Sequence, residues 1–299
     1  MNTTNKFIIA GIGELLWDCL PDGKVLGGAP ANFAYHAAQF GFESYAISAI
    51  GKDSLGKEIL DVLADKHLNH LIETVDYPTG TVQVTLDSKG VPEYEICENV
   101  AWDNIPLTAQ TKALAKNCKA VCFGSLAQRS KVSRETILHF LELVPGDSLK
   151  IFDVNLRQQF YTKEIIHRSL LTCNILKIND EEVKIVAQLF GEAIDPVQSP
   201  ETFERYFCKK LLKDYDLKLV IETKGATGSY VFTANETSYI GTPKVQVVDT
   251  VGAGDSFTGA FTAALLQGKT IQEAHRLAVN VSACVCTQHG AMPEIKISI

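Results

Sequence analysis

The sequence contains no G-x-x-x-x-G-K-[ST] loop, so any phosphate it binds is not held by a P-loop and its lysine. It also lacks a G-x-G-x-x-G after its first strand-like run. Residues 7–10 lead instead into Gly11-Ile12-Gly13-Glu14-Leu15-Leu16, where Leu16 stands in place of the third glycine. That argues against a dinucleotide oxidoreductase. Eight cysteines include no C-x-x-C, and the seven histidines show no H-E-x-x-H. The one close pair, Cys284-Val285-Cys286, would diverge on a helix, which excludes a zinc pair. Buried free thiols, and hence a reduced, cytoplasmic protein, are expected. No run approaches the roughly 18 apolar residues of a membrane span. Met1-Asn2-Thr3-Thr4-Asn5-Lys6 lacks the shape of a secretory signal. Basic residues are outnumbered, 28 Lys and Arg against 35 Asp and Glu, so the net charge is −7 and no nucleic-acid or anionic-membrane partner is expected.

The hydrophobic fraction of 46% and charged fraction of 21% fit an ordinary globular enzyme. Its central stretch is Val247-Val248-Asp249-Thr250-Val251-Gly252-Ala253-Gly254-Asp255-Ser256-Phe257. The pattern predicts strand, glycine turn and helix. Glycines allow close backbone approach, and the first N–H groups of a helix attract an anion. A carboxylate would repel that anion. Asp255 therefore makes sense as a base that takes the proton of a hydroxyl attacking a phosphoryl group. An aspartate before a helix is also a common N-cap, so the rest of the chain must decide.

Residues 7–12 read as a buried strand with Asp18 just beyond it. Gly27-Gly28-Ala29-Pro30-Ala31-Asn32 opens a helix that Gly41 ends. Asn32, a mediocre helix former in the first turn, suggests a polar task. Residues 45–50 form a strand, and Leu55, Ile59, Leu60 and Leu63 share a helical face. From Thr79 the period becomes two: Val82, Val84 and Leu86, a turn at Asp87-Ser88-Lys89-Gly90, and a return over 91–97. This hairpin is expected to form a flap with residues near 14–26. Whether it is a lone flap or a clasp between two copies is left open. Strands at 120–123, 150–154, 175–178 and 218–223 then alternate with helices near 132–143, 163–171, 180–190 and 201–214. That predicts an α/β fold with a mostly parallel sheet, covered by helices on both faces. The polar clusters Asp153-Val154-Asn155-Leu156-Arg157, Lys177-Ile178-Asn179-Asp180-Glu181-Glu182 and Thr223-Lys224-Gly225-Ala226-Thr227-Gly228 end strands, where ligands gather. Thr270-Ile271-Gln272-Glu273 reads as a capping box opening a helix through about Cys286.

Together these pieces resemble the ribokinase-like (PfkB-type) sugar kinases from about Phe7 to Pro293. Both glycine motifs occur in family order, with Gly51-Lys52-Asp53 and Thr223-Lys224-Gly225-Ala226-Thr227-Gly228 between them. Within the family the chain looks most like a fructokinase, through Gly13-Glu14, Pro78-Thr79-Gly80, Ala101-Trp102-Asp103, Phe123-Gly124-Ser125-Leu126-Ala127-Gln128-Arg129 and Asp153-Val154-Asn155-Leu156-Arg157. The resemblance implies a three-layer ribokinase-like fold forming one domain over 1–299, with a small β lid from about 14–26 and 79–98. It implies transfer of the γ-phosphoryl group of ATP to a primary hydroxyl of a sugar, with fructose expected. Alternatives are ribose, a nucleoside or a 2-keto-3-deoxy sugar acid, and more distantly a non-catalytic sugar-binding protein. Asp255 would be the base, and the amides of Gly252, Ala253 and Gly254 the anion hole. Asp18, Gly28, Asn32 and Arg157 would bind the sugar. Asn179, Thr223, Gly225 and Gly228 would border the nucleotide, and Glu182 would order Mg2+ through water. The family's monovalent cation site, commonly K+, would lie by Asp249 and Gly290. Its adenine-side asparagine aligns with Val279, one place from Asn280, so that role is not transferred.

Overall fold

The computed structural model describes residues 7–20, 23–86, 92–193 and 199–295. The first half runs β1 (Ile8–Ile12), β2 (Leu16–Leu20), β3 (Gly23–Gly27), α1 (Ala29–Ala38), β4 (Glu43–Gly51), α2 (Ser54–Asp65), β5 (Asn69–Val75), β6 (Gly80–Leu86), β7 (Pro92–Ile96), α3 (Ala109–Ala115), β8 (Cys118–Phe123) and α4 (Lys131–Leu143). The second half runs β9 (Leu149–Asp153), α5 (Lys163–Thr172), β10 (Ile175–Asn179), α6 (Asp180–Phe190), α7 (Pro200–Asp214), β11 (Leu219–Thr223), β12 (Ser229–Phe232), β13 (Thr237–Ile240), α8 (Ala253–Leu266) and α9 (Ile271–Val285).

Nine strands make one sheet in the order β13-β12-β11-β10-β9-β8-β1-β4-β5. It is parallel except for β12 and β13. Alternation along each strand feeds two cores. In β1, Ala10 and Ile12 join the core under α4 to α7, whereas Ile9 joins the one under α1, α2, α8 and α9. Three layers result, as expected. Every fully buried Phe or Ile contributes about 1.5–3 kcal/mol, so the paired cores hold the sheet between its helices.

Four strands, β3-β2-β6-β7, make a second, smaller sheet. The expected flap is therefore present, with β2 joined to β6 in parallel. The expected turn at Asp87-Ser88-Lys89-Gly90 lies outside the described residues. Arg129 anchors the base of this sheet. Its guanidinium donates to Asp103 at 2.8 and 2.9 Å and to the Cys97 carbonyl, and it stacks on Trp102 at 4.0 Å. Two of the fructokinase-like motifs thus meet in a structural joint behind the flap.

Several expectations need correction. Asp18 does not follow a strand but lies within β2, opposite Val25 and Val82. Val247 and Val248 form no strand, being 59% and 44% exposed in a segment without regular secondary structure. β5 was not expected, because its polar residues Asn69, His70, Glu73 and Thr74 suit a sheet edge and break the apolar pattern. The β12–β13 hairpin was also not anticipated. The capping box at Thr270 is as expected, with Glu273 Oε2 accepting from the Thr270 N–H at 2.8 Å.

Helix α1 lies close on β1. A Cβ at Gly11 would sit 1.9 Å from the Pro30 carbonyl oxygen, a backbone atom that cannot move without α1. Gly11→Ala is therefore expected to lose about 1–3 kcal/mol in urea unfolding, the usual cost of overpacking. An unchanged midpoint would contradict this packing.

Candidate active site

Strands β1, β9, β10 and β11 end on the same side of the sheet, and their exits form the floor of a cavity of about 390 Å³. Its lining includes Glu14, Asp18, Gly28, Asn32, Asn155, Arg157, Lys177, Asn179, Thr223, Gly252, Gly254 and Asp255. Leu16, Val82 and Ile96 of the small sheet complete it. A second cavity of about 600 Å³ adjoins, lined by Gly225, Gly228, Thr242, Pro243, Val245, Val247, Ala253, Phe257, Val279 and Ser282 among others. Thr223, Thr250 and Gly254 line both. The two cavities therefore meet at the start of α8.

That start is built by Gly252, the N-cap, whose φ of +76° favours glycine and whose Cβ would lie 2.5 Å from the Ala291 carbonyl oxygen. The Ala253 N–H already donates to the Thr250 carbonyl at 3.2 Å. For Gly254 there is no such bond among the described residues, so its N–H is available to an anion. Asp255 belongs to the first helical turn, not to the position before it, which removes the N-cap alternative. Asn32 Nδ2 donates to Asp255 Oδ2 at 2.8 Å. Burial and nearby Asp153 push the Asp255 carboxyl up to about 6, against the Asn32 hydrogen bond, Lys177 and Arg157. At neutral pH it is largely ionised, with a proton affinity matched to general-base work.

Lys177 and Asp153 were not assigned roles from the sequence, although both stood in the strand-end clusters. They are register partners on β10 and β9, with Lys177 Nζ 3.0 Å from Asp153 Oδ1. A Cβ on Gly254 would lie 2.9 Å from that Nζ. Burial would lower the lysine, but Asp153, Glu182 and Asp255 outweigh it and keep the ammonium charged. A fixed positive charge thus lies beneath the start of α8. Glu14 also lines the cavity and had no assigned role.

The other expected residues divide. Asp18, Gly28, Asn32 and Arg157 come together in the first cavity. Arg157 is exposed, in a loop after β9 and not at a helix start, and Asn155 beside it has φ +42°. Thr223, Gly225 and Gly228 border the second cavity. Val279 lines that cavity and exposed Asn280 does not. Asn179 caps α6, its Oδ1 accepting from the Glu182 N–H at 2.8 Å. Glu182 is buried outside both linings, its oxygens accepting from the Asn179 and Leu156 N–H groups at 2.9 and 2.8 Å. Asp249 and Gly290 are joined by a 3.0 Å hydrogen bond outside both cavities. Burial would raise the Asp249 carboxyl, but N–H donors from Val251 and Gly290 hold it below the usual range.

A profile described as "pfkB family carbohydrate kinase" matches residues 20–297. An ATP-dependent 6-phosphofructokinase of Thermoanaerobacterium thermosaccharolyticum is 30% identical, over 97% of this chain and 91% of that protein. A 5-dehydro-2-deoxygluconokinase of Bacillus anthracis is 29% identical, over 90% and 83%. The crystal structure of an uncharacterized sugar kinase from Pyrococcus horikoshii in complex with ATP superposes with a TM-score of 0.79 at 27% identity, covering 95% of this chain and 94% of that one. With both glycine motifs lining one cavity and the profile spanning nearly the whole chain, the protein belongs to the pfkB family of carbohydrate kinases.

Proposed function

We propose that the chain transfers the γ-phosphoryl group of ATP to a primary hydroxyl of a neutral sugar, with fructose the foremost acceptor. The observation that carries this reading is the meeting of the two cavities at the start of α8, with Asp255 on the acceptor side. ATP would occupy the larger, more apolar cavity, its base against Val245, Val247 and Val279 and its phosphates toward Gly254. The sugar would lie under the small sheet, its hydroxyls held by Asp18, Asn32, Arg157 and the backbone at Gly28. Asp255 would take the proton of the attacking hydroxyl while the Gly254 amide and the Lys177 ammonium face the negative charge of the phosphoryl group. The small sheet would exclude water, which otherwise competes as acceptor.

The residues present fit magnesium that arrives with the nucleotide. Glu182 has both oxygens engaged by backbone amides, so no direct carboxylate ligand is needed, and Mg2+ ordinarily keeps waters and phosphate ligands. When bound, the ion would shield phosphate charge. A monovalent cation would sit at the charged Asp249 carboxylate near Gly290.

Charge favours a neutral acceptor. Glu14, Asp18 and Asp255 line the acceptor cavity with two cations, Arg157 and the Lys177 that is ion-paired to Asp153. An acceptor bearing phosphate or carboxylate would meet these acids, whereas hydroxyls satisfy them. A second reading, a phosphorylated sugar, draws on the name of the phosphofructokinase relative. A coupled ADP assay with fructose, fructose 6-phosphate, ribose, a nucleoside and a 2-keto-3-deoxy sugar acid separates them. Fructose is expected to turn over fastest, and a fast anionic acceptor with idle fructose overturns the neutral-sugar reading.

Asp255→Asn is expected to lower turnover by about 10²–10⁴-fold while fructose still binds by calorimetry. Undiminished turnover would remove Asp255 from the chemistry. The wild-type rate should also depend on pH with a definite sign. The base works ionised, so kcat should fall as pH drops through about 6 and level off above it. A kcat that rises on acidification would contradict the assignment.

A further inference from the structure

Glu14 is the acid that the proposed transfer leaves without a task. It follows Gly13 at the exit of β1 and is only 3% exposed. Its Oε2 has no hydrogen-bond partner, and Glu14 forms no ion pair among the described residues. Its backbone is locked in place, because a Cβ on Gly28 would come within 2.6 Å of the Glu14 carbonyl oxygen. The side chain therefore belongs to a tight joint between the β1 exit and the first turn of α1, on the wall of the acceptor cavity.

A buried polar atom without a partner costs about 1–3 kcal/mol, and native structures keep few of them. Here the residue that carries the orphan lines a cavity that the proposed function fills with a sugar. We propose that Glu14 is a specificity-determining contact, its carboxyl hydrogen-bonding an oxygen of a neutral, polyhydroxylated acceptor. This rests on the reading of the cavity as the acceptor site.

The protonation state gives the contact a signature. Burial pushes the Glu14 carboxyl up to about 7, with Asp255 adding to the rise, against its own N–H, Arg157 and the Ala29 N–H. The charged and titratable groups around it are Asp255 on α8, Arg157 after β9, Asp18 on β2, Lys177 on β10 and Cys122 on β8. Below pH 7 the carboxyl keeps its proton and its O–H can donate to a sugar oxygen. Above it, a second carboxylate forms near Asp255 and that donor is lost.

The experiment measures fructose affinity by calorimetry and KM between pH 6 and 8.5 in wild type, Glu14→Gln and Glu14→Ala. Another neutral sugar from the acceptor panel replaces fructose if the wild type prefers it. Wild-type affinity is expected to weaken above pH 7. Glu14→Gln, which keeps an N–H donor and cannot ionise, should bind within a fewfold of wild type at pH 6.5 and lose that pH dependence. Glu14→Ala should raise KM about tenfold or more, with smaller effect on kcat. ADP affinity and the melting temperature report folding in each variant, and if Glu14→Ala does not fold, the Glu14→Gln profile decides alone. Identical pH profiles in wild type and Glu14→Gln would overturn the Glu14 contact and leave the kinase reading standing. A wild type that phosphorylates only anionic acceptors would overturn the neutral-sugar reading and this proposal with it.

Discussion

The site depends on the close packing of α1 against α8. The hydrogen bond from Asn32 to Asp255 joins residues 223 positions apart, and it forms only because the two helices lie side by side. Small residues allow this. A Cβ on Gly259 would come within 3.0 Å of the Phe33 carbonyl oxygen and of the His36 side chain, so α8 can approach α1 only with glycine there. Ala260, Ala263 and Ala264 continue the thin face into the same core. Asp255 is thus held by the molecule's own core, and its geometry is inherited from packing rather than from a flexible loop.

Electrostatics then divides the acids by environment. Asp249 accepts two backbone N–H bonds and stays below the usual range, suited to facing a cation. Asp255 and Glu14 are raised by burial to about 6 and about 7, suited to exchanging a proton and to donating one. Asp153 is buried against the Lys177 ammonium. Losing either partner would strand a buried charge, so the pair serves the site only as a unit. Together these groups put a buried ammonium beneath the helix N-terminus where the two cavities meet, with Glu14 and Asp255 lining the first cavity.

Much of this was legible in the chain because local pattern and tertiary outcome agree. The parallel strands after residue 117 are mostly apolar runs ending in polar clusters, and the helices between them begin with capping residues such as Thr162 and Asn179. Asp255 and Asn32 could be picked out because each breaks a local rule: an acid at an anion site, and a poor helix former in a first turn. What stayed hidden lacks a local signature. β5 is a sheet edge of mixed polarity. Val247 and Val248 look like a strand in isolation, but they are exposed in a segment without regular secondary structure. Lys177 reads as an ordinary residue in a buried strand until the register brings Asp153 beside it. Glu14 shows as unusual only once its burial and its missing partner are known.

The two halves of the proposed reaction are encoded in different places, which bounds what kinship can say about the acceptor. The proposed phosphoryl side is made by the start of α8 and the segments before it. The acceptor side is made by the β1 exit, two strands of the small sheet, the first turn of α1 and the loop at Asn155 and Arg157. The first turn of α1 bears directly on Asp255 through Asn32, whereas changes in the other short segments would alter the proposed acceptor site and leave Asp255 and the start of α8 in place. Relatives named ATP-dependent 6-phosphofructokinase and 5-dehydro-2-deoxygluconokinase are 30% and 29% identical to this chain, so kinship alone does not name its acceptor. The acceptor must therefore be inferred from the charges that line the cavity, and here three acids, Glu14, Asp18 and Asp255, line it with two cations, Arg157 and the Lys177 that is ion-paired to Asp153.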